Sequence, residues 1–151
     1  MPMPVEPPCG HDTPRLAWAD IGRTLRTQLL HAGDPTVPLN SCYVLPCRSH
    51  EEALALLALL HSPLAAAWLH TLAEPARGGF RRFLGWTIST LPVPTPDRWA
   101  RAIPHLAPLG LTLATGTAPP HDLLLDTAAA AYGIPLAPLR PLLAWGPPPH
   151  P

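Results

Sequence analysis

The longest apolar stretch of the chain predicts two consecutive helices between residues 49 and 73. Ser49 and Glu52 have the S-x-x-E spacing of a capping box. Ser62 followed by Pro63 is a common helix start, with serine as N-cap and proline in the first turn. Leucines in the first segment cover more than one helical face, which indicates a mostly buried helix. The pattern therefore predicts a helix pair at the centre of the core.

Strand-like patterns occur on both sides of this helix pair. Residues 15–21 and 39–47 have the alternation and β propensity of strands, whereas residues 24–31 fit either a strand or a short helix. Residues 80–86 alternate as well, directly after a glycine pair. We therefore expect strands before and after the helices.

Helical patterns return in the C-terminal part of the chain. The predicted elements there are a helix at 97–106, a loop at 110–120, a helix at 122–132 and one or two helical turns at 137–145. Pro104 limits the first helix and Gly133 ends the second. Taken together, the elements predict a small α+β domain, with an antiparallel sheet packed on the central helix pair and helices at the C-terminal end.

Composition separates a domain from its ends. The chain has 151 residues, enough for one domain, and 47% of them are hydrophobic. Eight of its 24 prolines lie in the first eight and the last five positions. We therefore predict a disordered Pro-rich lead at 1–14, a domain at 15–145 and a disordered tail at 146–151.

Charge and cysteine content exclude several classes of protein. The formal net charge is zero, so bulk charge indicates no partner, and three cysteines make no disulfide framework. No signal-peptide pattern occurs at the N-terminus, and the most apolar segment, 53–72, is interrupted by polar residues and a proline. No membrane association and a reducing cytoplasm are therefore expected.

Catalytic and metal-binding motifs are absent from the sequence. No Gly-rich phosphate loop follows a strand, and no serine has the G-x-S-x-G context. Cys42, Cys47 and His50 have a C-x4-C-x2-H spacing, but zinc would need Cys9 or His11 as a fourth ligand. The alternative interpretation is two small apolar side chains on a strand and an exposed histidine, and we predict no metal site.

A basic segment gives the strongest indication of a ligand. Half of the ten cationic residues lie within residues 77–101, namely Arg77, Arg81, Arg82, Arg98 and Arg101. Gly78 and Gly79 expose backbone N–H groups beside them, and phosphate contacts use both kinds of donor. On composition alone, an ordinary edge strand with solvated arginines is the favoured explanation of the segment.

The order of several motifs resembles the C-terminal target-recognition region of N6-adenine DNA methyltransferases, which also occurs in fused type II restriction–modification enzymes. The motifs are R-L-A-W-A-D-I-G-R (15–23), D-P-T-V-P-L-N-S-C-Y-V-L-P (34–46), A-L-A-L-L-A-L-L-H-S-P-L-A-A-A-W (53–68), G-G-F-R-R-F (78–83), T-I-S-T-L-P-V-P (87–94) and the D…Y-G helix end (122–133). The resemblance covers about residues 15–140. It implies a strand for residues 24–31 and a DNA-binding role in bacteria.

The chain also departs from that family in two respects. His61 stands where the family usually has asparagine. The family's catalytic domain, which is Rossmann-like, binds S-adenosylmethionine and carries an Asn-Pro-Pro-aromatic motif, has no counterpart here. Residues 6–9 and 118–121 contain Pro-Pro but lack both the asparagine and the aromatic residue. The resemblance therefore implies no enzyme activity by this chain alone, and S-adenosylmethionine only through a separate catalytic domain.

The resemblance implies a DNA-binding fragment or subunit that works with a catalytic methyltransferase chain or domain on double-stranded DNA. The residues expected to contact DNA are Arg77, Gly78, Gly79, Arg81 and Arg82, with Asn40, Ser41 and Arg23 as further candidates and Arg26 as a possible backbone contact. Two alternatives remain open. In one, residues 50–73 form a protein-interaction module; in the other, the chain is a truncated gene product without DNA binding of its own.

Overall fold

Two three-stranded antiparallel sheets and six helices make up residues 11–147, the part of the chain that the structure, a computed structural model, describes. The strands are β1 (Arg15–Ala19), β2 (Ile21–Gly22), β3 (Thr27–Leu30), β4 (Cys42–Pro46), β5 (Glu74–Pro75) and β6 (Arg81–Arg82). The helices are α1 (His50–Leu60), α2 (Pro63–Leu72), α3 (Gly85–Ser89), α4 (Pro96–Ala114), α5 (His121–Tyr132) and α6 (Arg140–Leu143). The predicted α+β class is confirmed.

The first sheet has the strand order β3–β1–β4. Its central strand pairs Leu16 with Leu29 on one side and with Leu45 on the other. Leu16 and Trp18 alternate with less buried positions, as a strand packed on a core requires. Residues 24–31 form a strand rather than a helix, but only over Thr27–Leu30.

The second sheet is much smaller, with the order β2–β6–β5 and two residues in each strand. The chain passes from the first sheet to the second at Asp20. Its N–H donates to the carbonyl of Ser41 (2.9 Å), and its carbonyl accepts from the N–H of Phe83 (2.7 Å). One residue therefore ties β4 and β6 to the same extended segment.

The helix pair begins as the capping pattern predicts. The Ser49 hydroxyl accepts from the Glu52 N–H (3.1 Å), and the Ser62 hydroxyl accepts from the Ala65 N–H (3.2 Å).

Within residues 11–147 no single helix is long and apolar enough to cross a membrane. Only α1 and α2 together reach that length and composition, and the pair is bent by 64°.

The most extensive helix contact joins α1 to α4, not α1 to α2. Their backbones approach so closely at Gly110 that a Cβ atom there would overlap the carbonyl of Leu54. The predicted helix at 97–106 and loop at 110–120 were therefore wrong in extent, since α4 continues to Ala114. The helix tolerates Pro104 and Pro108 because both lie on its exposed side, while it buries Leu106 against the core.

The strand expected at 80–86 is also wrong in extent. Only Arg81–Arg82 is paired, and Gly85–Ser89 is helical. Trp18 donates from its indole N–H to the Phe83 carbonyl (2.8 Å), so a side chain replaces the next strand pairing. Gly85 then packs on Tyr43, where an added Cβ would lie 3.2 Å from the ring.

The boundaries of the domain differ slightly from those expected. Pro14, assigned to the disordered lead, is buried, and its carbonyl accepts from the Cys47 N–H (2.9 Å). Gly146, assigned to the tail, donates to the Leu143 carbonyl (3.2 Å). Predictions for residues 1–10 and 148–151 lie outside the described residues.

Candidate nucleic-acid interface

The second sheet brings together two basic segments that are far apart in the sequence. Gly22 of β2 pairs with Arg81 of β6, which sets Arg23 beside the glycine pair. The Arg23 guanidinium lies over the ring of Phe80, 5.1 Å from its centroid. A Cβ atom on Gly79 would lie 3.5 Å from an Arg23 guanidinium nitrogen. Arg23, Gly79 and Phe80 therefore form one cluster.

The glycine pair forms a tight turn that a side chain would strain. Gly78 and Gly79 have φ values of 75° and 78°, in the left-handed region that glycine favours. The Ala76 N–H donates to the Phe80 carbonyl (2.7 Å) and closes the turn. Both glycines and Arg77 are exposed. The turn therefore presents backbone and one guanidinium to solvent, as a phosphate contact requires.

Arg81 and Arg82 point in different directions because neighbouring strand residues alternate. Arg82 is exposed. Arg81 is half-buried, and its guanidinium donates to the carbonyl of Ala73 (3.0 Å), the residue that ends α2. A cation at a helix C-terminus satisfies a free carbonyl and complements the helix dipole. Arg81 thus holds the turn against α2, whereas Arg82 faces outward.

Asn40 and Ser41 lie in an exposed turn beside this sheet. The Cys42 N–H donates to the Leu39 carbonyl (2.9 Å), which closes the turn before β4. The Ser41 carbonyl is held by Asp20, whose own carbonyl is held by β6. The turn is therefore attached to the segment that carries β2, and its two polar side chains are exposed.

A shallow depression of about 420 Å³ lies next to the cluster. Its lining residues are Ala19, Ile21, Gly22, Arg23, Thr24 and Arg26. Both arginines that the sequence suggested as contacts to the DNA backbone, Arg23 and Arg26, line it. None of its lining residues is acidic. The depression extends the basic surface from the glycine turn to the segment between β2 and β3.

Arg98, which belongs to the same basic segment of the sequence, has a different neighbour. Its guanidinium packs so closely on Gly133 that a side chain at that position would overlap it. Gly133 ends α5 in the left-handed conformation, with φ 66°. Arg98 thus lies at the C-terminus of α5, a favourable place for a cation.

His61 supplies a hydrogen bond at the turn where the resembling family has asparagine. Its Nε2 accepts from the Thr27 N–H (3.1 Å) and lies 2.8 Å from the Thr27 hydroxyl. An accepting Nε2 requires the neutral ring with the proton on Nδ1. Burial lowers the pKa of His61, and Arg26 lowers it further. This link between the helix pair and β3 was not predictable, because the sequence does not indicate which strand the turn meets.

A second histidine lies next to Arg81. The Nδ1 atom of His70 is buried without a hydrogen-bond partner among the described residues. Burial lowers the pKa of His70, and the nearby Arg81 guanidinium adds to the effect. Both histidines thus favour the neutral form.

The cysteine–histidine spacing does not produce a ligand cluster in the described part of the chain. Among residues 11–147 no three histidine, cysteine or acidic side chains are grouped as a metal ion would require. Cys42 is the first residue of β4 and Cys47 directly follows the strand, and burial together with Glu52 raises the pKa of Cys47 to about 11. Cys9 lies outside the described residues.

Several of the motifs that suggested a family contact one another. The G-G-F-R-R-F segment pairs with A-D-I-G-R, and the turn containing Asn40 and Ser41 bonds to Asp20. Tyr132, at the D…Y-G helix end, donates from its hydroxyl to the Pro92 carbonyl of L-P-V-P (2.7 Å). Burial raises the pKa of Tyr132 to about 12, so the hydroxyl stays a donor.

Comparison with known proteins adds no family. No protein-family model matches the sequence, and no curated protein matches it either. The likeness to methyltransferase target-recognition regions therefore stays a prediction that rests on the order of the motifs.

Proposed function

We propose that this chain is a DNA-binding target-recognition domain or fragment of a bacterial adenine-specific DNA methyltransferase, acting in the cytoplasm with a separate catalytic domain or subunit. The observation that carries the proposal is that Arg23, the turn of Gly78 and Gly79, and Arg82 lie on or beside the second sheet. Segments far apart in the sequence meet here, and they expose the guanidinium groups of Arg23, Arg77 and Arg82, with Glu74 opposite Arg82 on β5. If the arginines were only solvated surface residues, these distant segments would have no reason to meet.

The chemistry of the surface suits a DNA backbone. Exposed guanidinium groups of Arg23, Arg77 and Arg82 neutralise phosphates, and the turn at Gly78 adds backbone N–H donors. Asn40 and Ser41 are placed on the neighbouring turn, where amide and hydroxyl groups can contact base edges in the major groove. Because the net charge is zero, the chain alone binds weakly, and the catalytic partner supplies further contacts.

Methyl transfer and binding of S-adenosylmethionine are assigned to that partner. The family's cofactor domain is Rossmann-like and has a parallel sheet. All strand pairs in residues 11–147 are antiparallel, and no Asn-Pro-Pro-aromatic motif occurs in the sequence. The residues present do not fit the cofactor, so no catalytic step is derived for this chain.

The arrangement of the helices favours this proposal over an interaction module built on residues 50–73. Helix α1 buries seven of its residues, mainly against α4, the first sheet and α5. The apolar surface on which that alternative relies is thus largely covered within the chain itself.

Binding of the full chain to fluorescent duplex DNA, measured by anisotropy at about 50 and about 200 mM salt, tests the proposal. The Arg23→Ala/Arg82→Ala variant should lose about tenfold or more in affinity at the lower salt, because two phosphate contacts disappear. Arg48→Ala/Arg140→Ala removes the same charge at exposed positions elsewhere and is the matched control. Equal losses in both variants, or none in the first, would contradict the proposal.

A further inference from the structure

We infer that the depression between β2 and β3 is a phosphate-binding groove, in which Arg23 and Arg26 hold a phosphodiester of the DNA backbone. The inference rests on the proposed function and adds a second phosphate-contacting site beside the surface formed by the glycine turn. Its volume of about 420 Å³ is open to solvent on the exposed side of both arginines.

The backbone of the groove folds back on itself tightly. An added Cβ on Gly22 would lie 3.0 Å from the carbonyl oxygen of Thr24, closer than side chains normally pack. Glycine at this position therefore allows the sharp turn of the segment from which Arg23 and Arg26 line the depression. The same absence of a side chain lets a ligand approach the backbone.

Arg23 is held in place before any ligand binds. Its guanidinium lies on the Phe80 ring, 5.1 Å from the centroid, and next to Gly79. A cation–π contact leaves the guanidinium N–H groups that point away from the ring free to donate. A pre-placed arginine loses less conformational entropy when it binds a phosphate.

Arg26 is positioned by the residue that follows it. The Thr27 N–H donates to His61, and Thr27 begins β3, so the backbone after Arg26 is fixed to the helix pair. Neither Arg26 nor Arg23 has a carboxylate partner within ion-pair distance among residues 11–147. Two guanidinium groups in one groove without a neutralising carboxylate attract an anion, and bidentate geometry favours phosphate oxygens.

The first experiment measures how duplex affinity depends on salt. Each lost phosphate contact lowers the slope of log K against log salt by about one. Arg26→Ala should therefore lower it by about one and Arg23→Ala/Arg26→Ala by about two. Arg26→Lys should retain the slope, and Arg48→Ala, an exposed control, should leave it unchanged.

The second experiment titrates the ¹⁵N-labelled chain with inorganic phosphate and then pyrophosphate, without DNA. The amide signals of Gly22 and Thr24 should shift, and Arg26→Ala should abolish the shift while its thermal melting matches the unmodified chain. Phe80→Leu keeps an apolar side chain at this exposed position but loses the aromatic face, and it should weaken the response without removing it.

The outcomes separate this inference from the proposed function. Duplex binding with an unchanged slope in Arg26→Ala overturns the groove and leaves the DNA-binding proposal standing. Shifts with inorganic phosphate but no duplex binding would overturn both the DNA-binding proposal and the assignment of the groove to a phosphodiester of DNA, and would leave it a site for free phosphate. Neither shifts nor duplex binding would overturn both.

Discussion

The two sheets of the molecule differ in what holds them in place. The first sheet pairs four or five residues per strand and packs Leu16 and Trp18 into the core. The second pairs two residues per strand and is held by side chains from elsewhere, namely the indole of Trp18 and the Arg81 bond to Ala73.

The two sheets therefore differ in role: the first contributes mainly to stability, and the second carries the proposed binding surface. Burial of apolar area dominates the free energy of folding. The first sheet and the contact of α1 with α4 should therefore account for most of the stability. The second sheet exposes Arg82, whose contribution to the free energy of unfolding is small. Substitutions on the outer surface of the second sheet should therefore change binding while the protein stays folded.

The largest effect is expected where α4 enters the core. Leu106 is fully buried, and Leu106→Ala should lower the free energy of unfolding by about 2–5 kcal/mol, because it leaves a cavity. Leu111→Ala on the exposed side of α4 is the matched control, since Leu111 is 52% exposed. Urea denaturation measures both. Equal losses would mean that α4 does not pack on α1 as described.

The closest approach of α4 to α1 gives the next effect. Gly110→Ala should cost about 1–3 kcal/mol, because the added methyl group forces the backbones at Leu54 apart. Elsewhere in a helix the same change would stabilise the protein, since alanine has the higher helix propensity. A rise in the melting temperature of Gly110→Ala would therefore refute the close crossing.

The histidine that joins the helix pair to β3 makes stability depend on pH. The pKa of His61 lies below its ordinary value of 6.5, so the unfolded chain binds a proton first as the pH falls. The contribution of His61 to the free energy of unfolding is therefore fully present above pH 6.5, and it is lost as the pH falls towards the lowered pKa. His70, with its pKa lowered too, contributes in the same direction.

Thermal melting between about pH 7.5 and pH 5 measures this dependence, since the ordinary pKa of histidine lies inside that window. His61→Gln should weaken it, because the amide oxygen can accept from Thr27 without titrating. His105→Gln, at an exposed position, should leave it unchanged. A pH dependence of the same size in His61→Gln would remove His61 as its source.

The smallest effects come from the two neighbouring arginines of β6. Arg81→Ala should cost about 0.5–1.5 kcal/mol, because the Ala73 carbonyl loses its donor. Arg82→Ala should change stability by less than about 0.5 kcal/mol yet weaken duplex binding. Melting and anisotropy on both variants measure the two roles. If Arg81→Ala weakens binding as much as Arg82→Ala without loss of stability, the structural role of Arg81 is wrong.

Local hydrogen bonding and periodicity were sufficient to predict the helix pair from the sequence. Ser49 and Ser62 cap α1 and α2 because the serine hydroxyl bonds a backbone N–H within the same turn. β4, Gly133 as a helix end and the tight turn at Gly78 follow from similar local rules. The α+β class follows from these elements together.

Tertiary structure alone decided the features that depend on distant partners. Helix α4 runs through Pro104 because its opposite face is buried, and burial outweighs the lost hydrogen bond. Arg81 faces Ala73 while Arg82 faces solvent, and Arg23 reaches Phe80 only because β2 pairs with β6. A pattern in the chain indicates which residues are basic or apolar. The pairing of strands decides which of them meet, because that choice depends on contacts far apart in the sequence.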